Sequence, residues 1–520
     1  MERRKFLKYT TATLATPFIF QGQWIRAIAN DTILDGLNAY NPDRKLVLVQ
    51  LNGGNDGLNM VIPISQYDNL AKARGNILVQ QSQILKLTDE TGLHPSMPEL
   101  TNLYKEGKVQ IIQGVGYPNP NLSHFRSKDI LMAASDSNTI ISSGWVGRML
   151  NNQFPAYPTG YPNDKQPHPI ALSIGSTSSP ICQGELANYS SVITNLLSSY
   201  INSSVVTAYP ETPFGNELRF VTNTMEQTES YLSVIKAAAA KAKNLSALYP
   251  VAGQNTLADQ LKIVANLIAG GLQTQIYIVS LGGWDTHSSQ VTSLTDKLTG
   301  AQPLLLSKVS KAIAAFEDDL KLMNKADEVI GFVFTEFGRR IKSNDSLGTD
   351  HGTTWPAIIF GSRVNPGLLG QNPVIPPIVG TSDNLAMQYD FRRIYTGLYK
   401  QWFNLENQEI TQILGKSFPE IQVIADSTAV TGHPVLPTEK MKLWPNPVDD
   451  NSQLLFDSDG EYTQILIYSV TGQLVKTHLR QKYPLGRMQI QLQPGPLSSG
   501  IYLLVVQRKN GRETLKFVVK

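Results

Sequence analysis

Three acidic turns carry the side chains that could do chemistry in this sequence: Asn55-Asp56-Gly57, Trp284-Asp285-Thr286-His287 and Thr349-Asp350-His351-Gly352. Each comes after a hydrophobic strand pattern. Aspartate and imidazole groups gathered at strand ends form the ligand set of an oxygen- and nitrogen-coordinated divalent ion, so the chain reads first as a candidate metallohydrolase. Asp285 and His287 stand two apart, so in an extended segment both face the same way and could chelate one ion. Each turn alone also has a plain structural reading, since Asn-Asp-Gly is a good turn sequence. The chemical signal lies in their joint placement. Cys182 is the single cysteine of the sequence, which excludes an intramolecular disulfide and a thiolate-based zinc site.

The elements that must position these turns alternate between strand and helix, which argues for an α/β domain with a mostly parallel sheet sandwiched by helices. Lys45 to Leu51, Val109 to Gln113, Pro169 to Ile174, Gln275 to Ser280 and Val329 to Phe334 are apolar enough to be strands covered on both faces. Leu257, Leu261, Val264 and Leu267 repeat at helical spacing, as do Val309, Ile313, Phe316, Leu320 and Met323. In such sheets ligands bind beyond the carboxyl ends of the strands, and Asp56, Asp285 and Glu336 all lie just there. Residues 176–223, rich in Ser, Thr, Asn and Tyr, read as an insertion or lid, and 427–442 as a linker.

The two ends differ from the middle. Arg3-Arg4-Lys5-Phe6-Leu7-Lys8 precedes an apolar run to about Phe20, and Ala27-Ile28-Ala29 follows. The run falls short of the ~20 residues that span a bilayer and resembles a twin-arginine export signal over residues 1–29. From Leu443 to Lys520, short β-branched runs separated by Gly, Asn and Asp turns predict a small all-β sandwich. Its Trp444-Pro445-Asn446-Pro447 entry, Tyr468-Ser469-Val470-Thr471-Gly472-Gln473 middle, Ser499-Gly500-Ile501-Tyr502 strand and basic last residue resemble the C-terminal sorting domain of type IX secretion cargo in the Bacteroidetes. The expected route runs through the periplasm to the outer-membrane surface or the medium. With 45 basic and 42 acidic residues, a net charge of +3 and no long basic run, there is no nucleic-acid footprint. No internal stretch is long and apolar enough to be a transmembrane helix.

Six further segments, in order, give a more specific resemblance. They are Leu51 to Asn59; Tyr117-Pro118-Asn119-Pro120 with Ser123-His124-Phe125-Arg126-Ser127; Gly144-Trp145-Val146-Gly147-Arg148; Gly282 to His287; Thr335-Glu336-Phe337-Gly338-Arg339-Arg340; and Gly348 to Gly352. They are similar to the DUF1501 family, a bacterial group placed near the alkaline phosphatase and sulfatase superfamily, in a domain spanning residues 40–426. The resemblance implies an alkaline phosphatase-like fold and one or two divalent ions. Asp56 matches the superfamily's first metal-binding aspartate, Asp350 and His351 its later Asp-His-Gly ligands, and Asp285 with His287 its second pair. That pair is usually separated by three residues, not one, and a third histidine is expected late in the chain. Only His433 and His478 follow His351, so His94 or His124 would have to fill the gap, or one ion is absent.

The resemblance also implies a hydroxyl nucleophile at a helix start, where the dipole and free amides stabilise an alkoxide. Ser123 fits, although Ser is equally a favoured helix cap. Arg126 could grip a tetrahedral anion, Glu336 could bind the metal or orient a ligand histidine, and Arg339 would make a structural salt bridge. The implied activity is metal-assisted hydrolysis of a phosphate or sulfate ester, carried on a small molecule or a glycan. Zn²⁺ or Mn²⁺ is favoured, with Mg²⁺ or Ca²⁺ possible. The competing expectation is a surface protein that kept the fold and binds a glycan or partner without catalysis.

Overall fold

Seven residues in a row, Lys45–Leu51, are buried, which requires a strand covered on both faces. This is β1. Further strands of its unit include β2 (Val109–Gly116), β3 (Ala171–Ile174), β4 (Ser190–Ile193), β5 (Ile276–Leu281), β6 (Val329–Thr335), β7 (Gly338–Ser343), β8 (Thr349–Gly352), β9 (Trp355–Phe360), β10 (Gly367–Leu369) and β11 (Tyr389–Asp390). The computed structural model describes residues 43–194, 231–425 and most of 441–519, with short pieces at 18–25 and scattered residues between 210 and 229. The paired arginines, the segment around Ala27, most of 195–223 and most of 427–442 lie outside the described residues. Two units are distinguished, Met1–Pro434 and Val435–Lys520.

The first unit is built on a nine-stranded sheet in the order β10-β2-β9-β6-β1-β5-β3-β4, with β11 also paired to β2. β1 lies parallel to β5 and β6, and β3 and β4 continue the parallel run. β9 is antiparallel to both β2 and β6. Along β1 the pleat divides the core: Leu46 and Leu48 join one apolar cluster, and Val47, Val49 and Leu51 the other. Helices α1 (Pro98–Lys105), α4 (Thr256–Ala269) and α5 (Ala301–Leu322) supply Leu100, Leu261, Val264, Ile313 and Phe316 to the second cluster. Helices α2 (His124–Ala133) and α3 (Trp145–Gln153) cover the other face through Ile130, Leu131, Trp145 and Met149.

Two elements differ from the sequence pattern. β9 contains Pro356, which argues against an interior strand. The ladder to β2 slips between Trp355 and Ala357, and β6 pairs only with Ile358, Ile359 and Phe360, so the missing N–H has no position to fill. β4 falls inside the polar stretch that reads as an insertion. There Ser190-Ser191-Val192-Ile193 forms the edge of the sheet, parallel to β3, and its two serines hide the strand signal.

The second unit contains β12 (Lys442–Trp444), β13 (Gln453–Asp459), β14 (Tyr462–Ser469), β15 (Leu474–Lys482), β16 (Leu485–Gln491), β17 (Gly500–Arg508) and β18 (Gly511–Val519). They form antiparallel sheets in the orders β12-β13-β16 and β15-β14-β17-β18. Period-two residues (Leu454 and Phe456, Ile465 and Ile467, Leu504 and Val506) fill one core between them. No helix among the described residues is long and apolar enough to cross a membrane.

Candidate metal centre

The carboxyl ends of β1, β5 and β6 meet at one edge of the sheet, because the three strands run parallel in adjacent positions. Beyond that edge the chain must pass close to itself. Asn52 N–H donates to the Leu281 carbonyl at 2.9 Å and Trp284 N–H to the Asn52 carbonyl at 3.2 Å. Gly53 sits between them at φ 129°, where a Cβ would stand 2.4 Å from the Asp285 nitrogen, so only glycine fits. The extended Asp285-Thr286-His287 segment then alternates. Thr286 turns inward and donates to Gln290 Oε1 at 3.0 Å, while its two neighbours face out together. Thr349 also donates to Gln290 Oε1, at 2.8 Å, and its N–H bonds the Thr286 carbonyl at 3.1 Å. The β7–β8 ribbon is thereby held so that Asp350 and His351 lie beside Asp285 and His287.

His124, Asp285 and His351 each bring a ligand atom within 4.8 Å of the other two, and His287 adjoins Asp285 and His351. His287 Nε2 and His351 Nε2 each lie 3.2 Å from Asp285 Oδ1, and 2.9 Å from each other. His124, the first residue of α2, brings its Nε2 to 3.4 Å from Asp285 Oδ2. Donors bound at 2.0–2.1 Å to a tetrahedral ion stand about 3.3 Å apart, so this spacing suits one.

The proton positions sharpen the reading. His351 Nδ1 faces the Leu122 carbonyl at 2.8 Å, His287 Nδ1 faces Asp350 Oδ1 at 3.1 Å, and His124 Nδ1 faces Glu336 Oε1 at 2.9 Å. Carbonyl and carboxylate oxygens only accept, so each Nδ1 must carry a hydrogen. In the neutral rings every Nε2 is then a lone pair. With the rings neutral, three imidazole lone pairs and a carboxylate would have no donor among themselves, and a shared cation would resolve the conflict. Ligand histidines held through Nδ1 in this way are the usual supporting arrangement of metal sites. The donor set of one carboxylate and three imidazoles, with no thiolate, fits a divalent ion.

For His351 electrostatics supports the unprotonated form. Burial lowers the pKa of His351, aided by Arg339 and His124 and opposed by its bonds to Leu122 and Asp285. Asp285 is raised by burial, but the hydrogen bond and charge of Arg339, with the adjoining imidazoles, outweigh that and hold it at about 2. Arg339 is buried and donates to Asp285 Oδ1 at 2.7 Å, the Gly54 carbonyl at 2.6 Å and the Thr349 carbonyl at 2.7 Å, joining the three turns. Glu336 is also buried. Besides facing His124, it accepts from Gly53 N–H at 2.8 Å and from Thr335 Oγ1 at 3.2 Å. The Phe337 ring lies 4.8 Å from that of His124 and 4.4 Å from that of His351, a wall that limits how either can turn.

The other expected residues lie elsewhere. Asp56 is buried, with both oxygens bonded by Arg74 Nη1 at 2.8 and 2.7 Å and Oδ2 also by Gln290 Nε2 at 2.8 Å. His94 is buried near it; its Nδ1 accepts from Ser96 N–H at 3.1 Å, and burial lowers its pKa to about 4 against the pull of Asp56. Arg126 faces away: its Nη2 donates to the carbonyls of Ser137 at 3.1 Å and Thr139 at 2.6 Å. Ser123 is the exposed N-cap of α2, and its hydroxyl makes no capping bond to that helix. It sits between Leu122, which receives His351, and His124. Sequence reasoning missed Arg74, Gln290 and Lys128. Lys128 places its ammonium 4.0 Å from Glu336, one helical turn after His124, a spacing that could have found it.

Residues 216–414 match the model of a family described as "Protein of unknown function (DUF1501)", and residues 442–520 match "Secretion system C-terminal sorting domain". No curated protein matches the chain. Similar solved structures include a protein in the alkaline phosphatase superfamily from Vibrio parahaemolyticus, 10% identical, covering 92% of this chain and 82% of that one with a TM-score of 0.30. Another, from Bacteroides thetaiotaomicron and concerned with metabolism of multiple glycosaminoglycans, is 10% identical over 91% and 89% with a TM-score of 0.34. A sulfatase from Pseudoalteromonas sp. is 10% identical over 90% and 89% with a TM-score of 0.31. A segment matching the DUF1501 model is thus followed by a C-terminal sorting domain, which marks an exported protein, at the cell surface or secreted.

Proposed function

We propose that this chain is an exported metal-dependent hydrolase of phosphate or sulfate esters, with the ion held by Asp285, His287, His351 and His124. The observation that supports it most is the set of three imidazoles, each anchored through Nδ1, whose Nε2 atoms face a single carboxylate. Zn²⁺ or Mn²⁺ suits the donors better than Mg²⁺ or Ca²⁺, which prefer oxygen alone. When bound, the ion supplies Lewis-acid polarisation of an ester oxygen and lowers the pKa of a nearby hydroxyl or water.

The chain's own groups do the rest. Ser123, next in the chain to His124, offers an exposed hydroxyl. The first-turn amides of α2 have no partner within the helix and are not capped by Ser123 Oγ, so they are free to bind the oxyanion that develops as the ester is attacked. Lys128 adds a cation on the same side of α2, suited to a substrate anion. Asp350 and Glu336 hold two of the imidazoles, and Arg339 holds Asp285 against rotation. An export route through the periplasm, begun by the paired arginines at Arg3 and Arg4, fits delivery of a folded, loaded protein.

The purified full-length chain is to be assayed on aryl phosphate, phosphodiester and aryl sulfate with and without chelator, beside Asp285→Asn. Chelator-sensitive hydrolysis that disappears in Asp285→Asn is the expected result. Hydrolysis indifferent to both would defeat the assignment. A chain that holds an ion yet hydrolyses none of these esters, and binds sulfated glycans instead, would favour the non-catalytic surface role.

A further inference from the structure

Asp56 occupies a setting opposite to that of Asp285. Arg74 bonds both of its oxygens, and the same guanidinium donates from Nε to the Ile341 carbonyl at 2.8 Å and from Nη2 to the Arg340 carbonyl at 2.5 Å. Every nitrogen of Arg74 is therefore committed, two of them to β7. Asp56 Oδ2 takes a third bond from Gln290 Nε2, so three of the roughly four acceptor positions of a carboxylate are filled by fixed protein donors. Asp56 and Arg74 are both essentially inaccessible, at 1% and 0% exposure.

Resting on the metal reading above, we propose that the centre holds one ion, and that Arg74 is the permanent cation that takes the place of a second at Asp56. A dication brought to Asp56 would have to displace donors that are themselves pinned, and would lie against a buried like charge. The charge around the cluster points the same way. Asp285, Asp350 and Glu336 face three cationic side chains, Arg339, Lys128 and Arg340, so the fixed charges already cancel and a second dication would be left further uncompensated than the first. Gln290 links the pair to the centre: its Nε2 donates to Asp56, and its Oε1 accepts from Thr286 and Thr349, which stand beside the ligands. The buried ion pair thus sets the register of the turns instead of ligating.

The test uses full-length protein stripped by chelator, reloaded with excess Zn²⁺ or, separately, Mn²⁺, desalted, and examined by elemental analysis and circular dichroism. One ion per chain is expected. Two ions per chain would overturn this inference while leaving the hydrolase reading in place. None in a folded chain would remove the metal reading and this one with it. The paired variant Asp56→Asn with Arg74→Met, which removes the buried charges together, is expected to retain one ion, whereas Asp285→Asn retains none. Loss of the ion from a folded Asp56→Asn/Arg74→Met protein would show that Asp56 is a ligand and overturn the inference. Should that variant not fold, the stoichiometry of the parent decides alone.

Discussion

Asp56 and Asp285 follow adjacent parallel strands in glycine-containing turns, and they are turned to opposite uses. Asp56 is closed: buried, with both oxygens held by Arg74 and a third bond from Gln290. Asp285 is open: about half of its side chain is accessible, and beside Arg339 it faces imidazole nitrogens with lone pairs to offer. An aspartate after a strand is therefore not a ligand by position. Its neighbours decide, by donating hydrogens to it or by joining it in waiting for a cation.

The sharpest way to separate the two settings is to ask which governs chemistry and which governs folding. Ser123→Ala removes a hydroxyl from the open side and touches nothing in the closed pair. If Ser123 is the nucleophile, hydrolysis should fall by a factor on the order of 10⁶, the scale for loss of a serine nucleophile, while ion content and melting temperature stay at parental values. Parental turnover in this variant would take the nucleophile away from Ser123. On the closed side, Arg74→Met strands a buried carboxylate and should cost about 3–5 kcal/mol of stability, read from denaturant unfolding. The second substitution Asp56→Asn should return most of that loss, because a buried pair removed together leaves no orphan charge. Equal destabilisation by the single and double variants would mean that the pair is not the source.

A smaller effect probes the layer between. Glu336→Gln keeps the shape beside His124 and can still accept from its Nδ1, but loses the charge. Retention of the ion in competition with a chelator should weaken ~10–100-fold, the usual cost of altering a group behind a ligand histidine. A change no larger than that of a distant surface variant would place His124 outside the ion's ligands.

How much of this was legible depends on where the information resides. β1, β5 and β6 were readable because strands buried on both faces are continuously apolar, and the α4 and α5 stripes because one helical face is buried. The Asp285-Thr286-His287 and Thr349-Asp350-His351 turns were readable as candidates because residue types and short spacings are local. That Arg74 would meet Asp56, or that one glutamine would bond two threonines 63 positions apart, was not. Thr286 and Thr349 come together only through the sheet order and the β7–β8 ribbon, and a Gln at 290 carries no pattern of its own. β9 and β4 were obscured for a simpler reason, Pro356 in one and paired serines in the other, residues whose fit is settled by neighbouring strands.

A third buried carboxylate completes the comparison and gives the smallest expected effect at acidic pH. Glu317 lies on α5, 2% exposed, with Oε1 unpartnered in the structure. It has neither the guanidinium of Asp56 nor the imidazoles of Asp285. Burial raises its pKa from 4.5 to about 8; nearby Lys108 opposes this and Glu106 adds to it. The folded chain therefore holds a proton there that the unfolded chain releases above 4.5. Because the folded state binds more protons across that window, stability should decline as pH rises from about 4.5 to about 8 and level off beyond it. Glu317→Gln, which copies the neutral acid, should match the parent near the lower limit and exceed it increasingly toward the upper one, in melting curves recorded on chelator-stripped protein. Identical pH profiles for the two proteins would mean that Glu317 finds a donor or solvent and stays ionised. A carboxylate inside this fold would then be tolerated without either of the two solutions that Asp56 and Asp285 represent.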